Sequence, residues 1–305
     1  MLLTANLLAF AVCWALLGMT SNPWLTALIA VALGIVSGQL GFQLHDSAHQ
    51  QMFANRRLNG LIAFITGNCM LGMSAGWWTG KHNAHHGNPN HVDLDPDIDI
   101  GVIAYSSEQA AGKSGVSRFI AAYQAYLFFP LLFGLAWIMH VKGVQTLFST
   151  SMRHRTAELV ALGLHAIAYV ALLVVLVGPW RALLVIVIHK CVGGFYLASV
   201  FAPNHKGMPQ VERGESLDFL RAQVLTARNV RSHPLTDLLY GSLNYQIEHH
   251  LFPTMPRCNL RRAQAVIADF CAEVAVPYYE TSIVQSYREI LSFLHEVGAP
   301  LRAAA

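Results

Sequence analysis

Three short stretches carry histidines at spacings that suit a metal: His45-Asp46-Ser47-Ala48-His49, His82-Asn83-Ala84-His85-His86 and Gln246-Ile247-Glu248-His249-His250. Positions i, i+3 and i+4 of a helix lie on one face. His45 therefore projects with His49, His82 with His85 or His86, and Gln246 with His249 and His250. One more histidine, His205, stands in Phe201-Ala202-Pro203-Asn204-His205-Lys206-Gly207. Neutral imidazole suits iron, zinc, copper and nickel, but eight imidazoles (His45, His49, His82, His85, His86, His205, His249 and His250) exceed what one ion uses. A structural zinc closes at four ligands and would leave half of them unexplained. Two ions with about four nitrogens each, keeping positions open for oxygen, is the economical arrangement.

Ligating histidines usually hand their other N–H to a carboxylate or a carbonyl. Asp46 and Glu248 lie inside the motifs, and Asp93, Asp95, Asp97 and Asp99 follow the second one. That acidic run lacks the glycine and terminal glutamate of a calcium-binding EF-hand, so it is read as support for the histidines. Asn204 and Asn229 are weaker candidates for the same work. Gln246 offers an amide, a poorer ligand than imidazole. It would bind weakly, bind through water, or orient a neighbour. His140, His154, His233 and His295 read as ordinary interfacial or surface residues.

The elements that position these residues belong to a membrane protein. Of 305 residues, 54% are hydrophobic and only 12% charged, whereas soluble domains carry about 25% charged residues. Too few charges exist to coat a globule of this size, and the bilayer is the natural solvent for the surplus apolar surface. A crossing helix needs about 20 apolar residues, and four segments qualify: 2–20, 24–44, 157–178 and 180–202. The first 44 residues hold no charged side chain and lack the order of a secretory signal, so 1–20 and 24–44 are read as retained spans. His165 and His189 fall inside predicted spans, where polar groups usually have a partner. Pairing with Glu158 or Lys190 and lining the acyl path are two readings, and hydrogen bonding between helices is the plainer one.

If the histidine clusters share one centre, they share one side of the membrane. The segments from His49 to His82 and from His86 to Arg153 then cross an even number of times. Residues 58–76 are too few for two crossings and are expected in the interface. The stretch 119–139, with Pro130 at its middle, is expected to be an interfacial or re-entrant helix pair. Arg56, Arg57, Lys81, Lys142, Arg153 and Arg155 fall on the cluster side, as the positive-inside rule expects of the cytoplasm. Trp77, Trp78 and Trp180 read as interface anchors.

The expected fold is an all-α membrane protein, one domain over 1–305. It has four transmembrane helices, interfacial helices and a cytoplasmic helical cap, mainly 45–118 and 203–305, that holds a di-metal site. Helices are expected near 258–274 and 282–296. The net charge of +3 contains no basic run of the kind a nucleic-acid groove needs. The five cysteines form no CxxC pair, which fits a reducing compartment better than a disulfide framework.

The motifs resemble the three histidine boxes of the membrane fatty acyl desaturases: HxxxH, HxxHH and QxxHH. The stretch from Gly241 through Pro253 is similar to the third box of the front-end branch and its bacterial acyl-lipid or acyl-CoA relatives. Trp77-Trp78 before the second box and Asn88-Pro89-Asn90 after it are also similar to that group. The resemblance covers roughly residues 24–275. It implies a non-haem centre of two iron ions that uses O2 as co-substrate to remove two hydrogens from a fatty acyl lipid or acyl-CoA, leaving a carbon–carbon double bond. By the same resemblance His205 matches an additional histidine ligand after the fourth span. The chain departs from the family in Gln246, where the third box often begins with His. It also has no HPGG motif of a fused cytochrome domain. Electrons are therefore expected from a separate donor of ferredoxin or cytochrome b5 type with its reductase. A membrane di-iron hydroxylase acting on alkyl or carotenoid substrates shares this chemistry and stays open. A divalent-metal transporter is disfavoured, because transporters place their sites near the bilayer midplane and these clusters lie at helix ends.

Overall fold

A computed structural model describes residues 2–98, 101–149 and 152–303; Asp99 of the acidic run lies outside them. The described residues are predominantly helical. In chain order the elements are α1 (Leu2–Met19), α2 (Pro23–Ala48), α3 (Arg56–Phe64) continuing as a π-helical stretch (Ile65–Leu71), α4 (Ala75–Gly87), α5 (Ser107–Ala111), α6 (Gly115–Ala122), α7 (Gln124–Leu132), α8 (Leu135–Ser149), α9 (Arg155–Val177) and α10 (Pro179–His205). There follow α11 (Phe219–Leu225), β1 (Asn229–Val230), α12 (Pro234–Leu239), α13 (Gln246–Leu251), α14 (Arg257–Glu273), β2 (Glu280–Thr281) and α15 (Ile283–Ala303).

The chain forms two compact units. One comprises the residues up to Gly80 together with Leu132–Ser199, and the other comprises Lys81–Leu131 and the residues from Val200 onward.

In the first unit, α1, α2, α9 and α10 are the four helices long and apolar enough to cross a membrane. They match the four expected spans to within a turn. Asn22 caps α2 by accepting from the N–H groups of Trp24 and Leu25, at 2.9 and 3.3 Å. Pro23 follows it where a missing N–H costs nothing. Gly178, at φ +79°, makes the reversal into α10. Cys13, Leu17, Ile29, Leu33, Leu173, Val177 and Val185 form the core between these helices. Small residues let two backbones approach: a Cβ added to Gly34 would meet Val192 at 2.9 Å, and one added to Gly193 would meet the Gly34 carbonyl at 3.4 Å. The outer faces of the same helices expose Leu8, Val12, Leu28, Leu164, Ile167 and Val175. Apolar exposure of that extent is what lipid covers.

Residues 56–87 do not form one straight span. The first arm ends at Leu71, the chain turns at Gly72 (φ +71°), and α4 restarts at Ala75. The stretch 119–139 is divided among α6, α7 and α8, with Pro130 inside α7. Trp180 is 62% exposed at the start of α10, as an interface anchor should be. Trp78 is not: it is 7% exposed and packs with Leu44, Ala63, Met73 and Ala75.

In the second unit, β1 and β2 pair in parallel, Asn229 opposite Glu280 and Val230 opposite Thr281. Val224, Ala227, Ile247, Leu251, Ile267 and Cys271 make the core against which α13 packs. A second cluster, with Ala104, Ala121, Ala122, Val297 and Leu301, joins α5, α6 and α15. Arg228 is fully buried. Its guanidinium donates to the carbonyls of Pro203 and Lys206 and pairs with Glu289. A buried charge requires such complete pairing, and here the pairing grips the chain on either side of His205. The helices expected at 258–274 and 282–296 are α14 and α15.

Candidate metal centre

Six of the eight singled-out histidines belong to the second unit. α4 contributes His82, His85 and His86, the end of α10 contributes His205, and α13 contributes His249 and His250. α13 has only six residues, too few to be stable by propensity. Its surroundings hold it: all six are buried, and Asn229 Oδ1 accepts the Ile247 N–H at 2.9 Å.

His85, His205 and His250 form one group. The Nε2 atoms of His85 and His205 are 3.3 Å apart, and those of His205 and His250 are 3.0 Å apart. In each ring the opposite nitrogen is committed. His85 Nδ1 lies 2.9 Å from Asp95, His205 Nδ1 donates to the Thr226 carbonyl at 3.0 Å, and His250 Nδ1 donates to Gln223 Oε1 at 2.9 Å. These acceptors assign the proton to Nδ1 and leave three Nε2 lone pairs facing one another. Burial, with the neighbouring histidines adding to it, holds His250 well below its ordinary pKa. Burial alone would raise the Asp95 carboxyl. The His85 hydrogen bond and charge, Lys206 and the Asn90 N–H outweigh it and keep Asp95 below the usual carboxylate range.

His82, His86 and His249 form a second group, with ligating atoms within 4.8 Å of one another. His82 and His86 approach to 3.2 Å between their Nε2 atoms. His86 stacks on His250 with ring centroids 4.1 Å apart, so the two groups are adjacent. In the first unit, His45 and His49 share the C-terminal turn of α2 with ring centroids 4.7 Å apart. Asp46 Oδ1 lies 3.3 Å from His45 Nδ1, and Trp78 meets His45 edge-on at 5.8 Å.

Gln246 places its side-chain nitrogen 2.9 Å from His205 Nε2, while Asn204 Nδ2 donates to its Oε1 at 2.9 Å. Both lie where the sequence places them, at the edge of the histidine group. Asp95 lies against His85 Nδ1, whereas the Asp93 carboxylate is held by Arg213 at 2.9 and 3.0 Å on an exposed surface. Glu248 and Asn229 bond to each other at 2.7 Å, and Tyr278 donates to Glu248 at 2.7 Å. Burial raises the Glu248 carboxyl against the partial opposition of those two bonds. The pair braces α13 against the β1 strand and the Tyr278 loop.

Sequence reasoning missed Gln223 and the Thr226 carbonyl. It also missed Asn90, whose Nδ2 bonds the carbonyls of His205, Pro209 and Thr226 and whose N–H bonds Asp95. Asn90 had a signal, the Asn-Pro-Asn that follows the second box. His140 is another difference: it is not a plain interfacial residue but accepts from Lys190 at 3.1 Å inside the first unit. His189 bonds Ser37 and Tyr169, at 2.8 and 2.7 Å, the interhelical bonding expected of it.

Residues 22–282 match the fatty acid desaturase family. The chain belongs to that family. Among its desaturase relatives, an acyl-lipid (9-3)-desaturase of Physcomitrium patens is 32% identical, over 98% of this chain and 58% of the relative. A delta(6)-fatty-acid desaturase of Caenorhabditis elegans is 32% identical, over 90% of this chain and 66% of the relative. A delta(8)-fatty-acid desaturase of Euglena gracilis is 33% identical, over 82% and 62% respectively. This desaturase-family chain thus spans about three fifths of the length of the curated relatives it matches.

Proposed function

We propose that the chain is an O2-dependent fatty acyl desaturase whose eight histidines hold two iron ions. The observation that carries this reading is geometric: in His85, His205 and His250 each Nδ1 has its own acceptor, which turns the three Nε2 atoms toward one another. Such a donor set fits a cation, and nitrogen donors suit a redox-active first-row metal. His85, His205 and His250 would hold one ion. His82, His86 and His249 would serve the other, and His45 and His49 are the remaining pair of the eight. Iron bound there would supply O2 activation strong enough to attack an unactivated C–H bond.

The chain's own residues supply orientation. Asp95, the Thr226 carbonyl and Gln223 fix the tautomers and ring directions of His85, His205 and His250. Asn204 fixes Gln246, whose amide then serves as a weak or water-mediated ligand or as a donor to His205. In the net reaction an acyl CH2–CH2 unit and O2, with two electrons and two protons, become CH=CH and two waters. The electrons come from a donor of ferredoxin or cytochrome b5 type. The substrate is a fatty acyl lipid or acyl-CoA, and the centre faces the cytoplasm, which the basic residues around the clusters support. Lipid profiling of a host expressing the chain, beside a His85→Ala variant, tests the reading. New double bonds should appear with the parent chain and vanish with the variant. Their appearance in both, or in neither, counts against it.

A further inference from the structure

The break between the π-helical stretch and α4 lies among apolar helices and frees backbone groups that lipid cannot satisfy. Carbonyls are left at the end of the first arm and N–H groups at the start of the second. Side chains of the spanning helices meet both sets. His165 of α9 donates through Nδ1 to the Cys69 carbonyl at 2.8 Å. Lys190 of α10 donates to the Leu71 carbonyl at 3.2 Å, steadied by His140 of α8. Across the turn, Glu158 of α9 accepts the Gly76 N–H at 3.0 Å and the Ser74 hydroxyl at 2.5 Å. Ser74 Oγ in turn accepts the Trp77 N–H at 3.1 Å.

The signs are those that helix dipoles favour: donors and a cation at a C-terminus, a carboxylate at an N-terminus. The joint is also tightly filled. Glu158 is 4% exposed and Ser74 1% exposed, and a Cβ at position 76 would meet Glu158 Oε1 at 2.5 Å. A side chain there would push the Glu158 carboxylate off its bonds.

α4 is the helix that carries His82, His85 and His86. A helix turns about 100° and rises about 1.5 Å per residue, so the setting of its first turn fixes where those three rings point. We infer that Glu158 is a positioning residue for the metal centre, acting through the start of α4. This rests on the ligand reading above and goes beyond it by assigning a role to a carboxylate outside every histidine box.

The test is a cobalt(II) titration of the full-length chain in detergent, read by bound metal per chain and by the d–d absorption bands. The variants are Glu158→Leu, Glu158→Gln and Ser74→Ala. Glu158→Leu should weaken binding by about tenfold, the low end of what losing a direct partner of a ligand costs, because Glu158 acts through the helix and not on a ring, and should shift the bands. Glu158→Gln, which keeps an acceptor for the Gly76 N–H, should recover most of the affinity. Ser74→Ala should change both readouts in the same direction and to a smaller extent, and it carries the test if Glu158→Leu does not fold. A residue that only stabilised the stem would lower the yield of folded chain without moving the spectrum of the folded fraction. Unchanged isotherms and spectra in the folded variants would overturn the inference alone. A parent chain that binds no cobalt would overturn the ligand reading, and the inference with it.

Discussion

An imidazole whose Nδ1–H donates to an acceptor has one lone pair left, on Nε2, and the acceptor sets its direction. Asp95 does this for His85 with both carboxylate oxygens, at 2.9 and 3.0 Å, and is itself held by the N–H groups of Asn90 and Asp97, each at 2.8 Å. Asp95→Asn replaces an anion with a neutral amide at a point where His85 needs an acceptor. Metal affinity should fall about 10- to 100-fold, measured by equilibrium dialysis. Asp93→Asn breaks only the exposed pair with Arg213, which solvent screens, and should leave affinity unchanged. The residues of this centre were unequally legible. The histidines announce themselves by helical spacing, and Asp95 by its nearness to the second box. Gln223 and Thr226 give no such signal. One lies 27 residues before its histidine, and the other acts through a backbone carbonyl, which every residue possesses.

Among the elements, the four spans were legible because length and apolar composition alone decide them. The joint at Gly72 was not. The carbonyls that end the π-helical stretch are met by His165 and Lys190 arriving from distant helices, and no local pattern encodes that. α13 is legible only through its motif, since a six-residue helix owes its shape to Asn229, Tyr278 and the core beneath it. The contact between α2 and α10 depends on glycines. A Cβ at Gly38 would run into the Tyr196 ring, whose hydroxyl accepts from Gln39 Nε2 at 2.6 Å. Gly38→Leu should therefore destabilise the first unit by about 1–3 kcal/mol, the usual cost of overpacking. The measurement is thermal unfolding in detergent, with Ile35→Leu on the exposed face of the same helix as the control that should not change it.

For the whole molecule, composition and fold agree on one division of labour. Apolar spans turn Leu, Val and Ile toward lipid, and most ionisable residues lie at helix ends and in the more polar chain from 203 onward, with His165, His189 and Lys190 inside the spans each hydrogen-bonded. A single domain is what the sequence suggests. The two compact units are not visible there, because their division follows from where the chain returns after Leu131 and Ser199 rather than from any linker composition. The central claim is the number and kind of ions this architecture holds. Anaerobic loading of the purified full-length chain with iron(II), followed by removal of loose metal and elemental analysis, tests it directly. The expected result is a plateau at two iron ions per chain, lost in step with His205→Ala and His250→Ala. A plateau at one ion, or no retained iron at all, would contradict it.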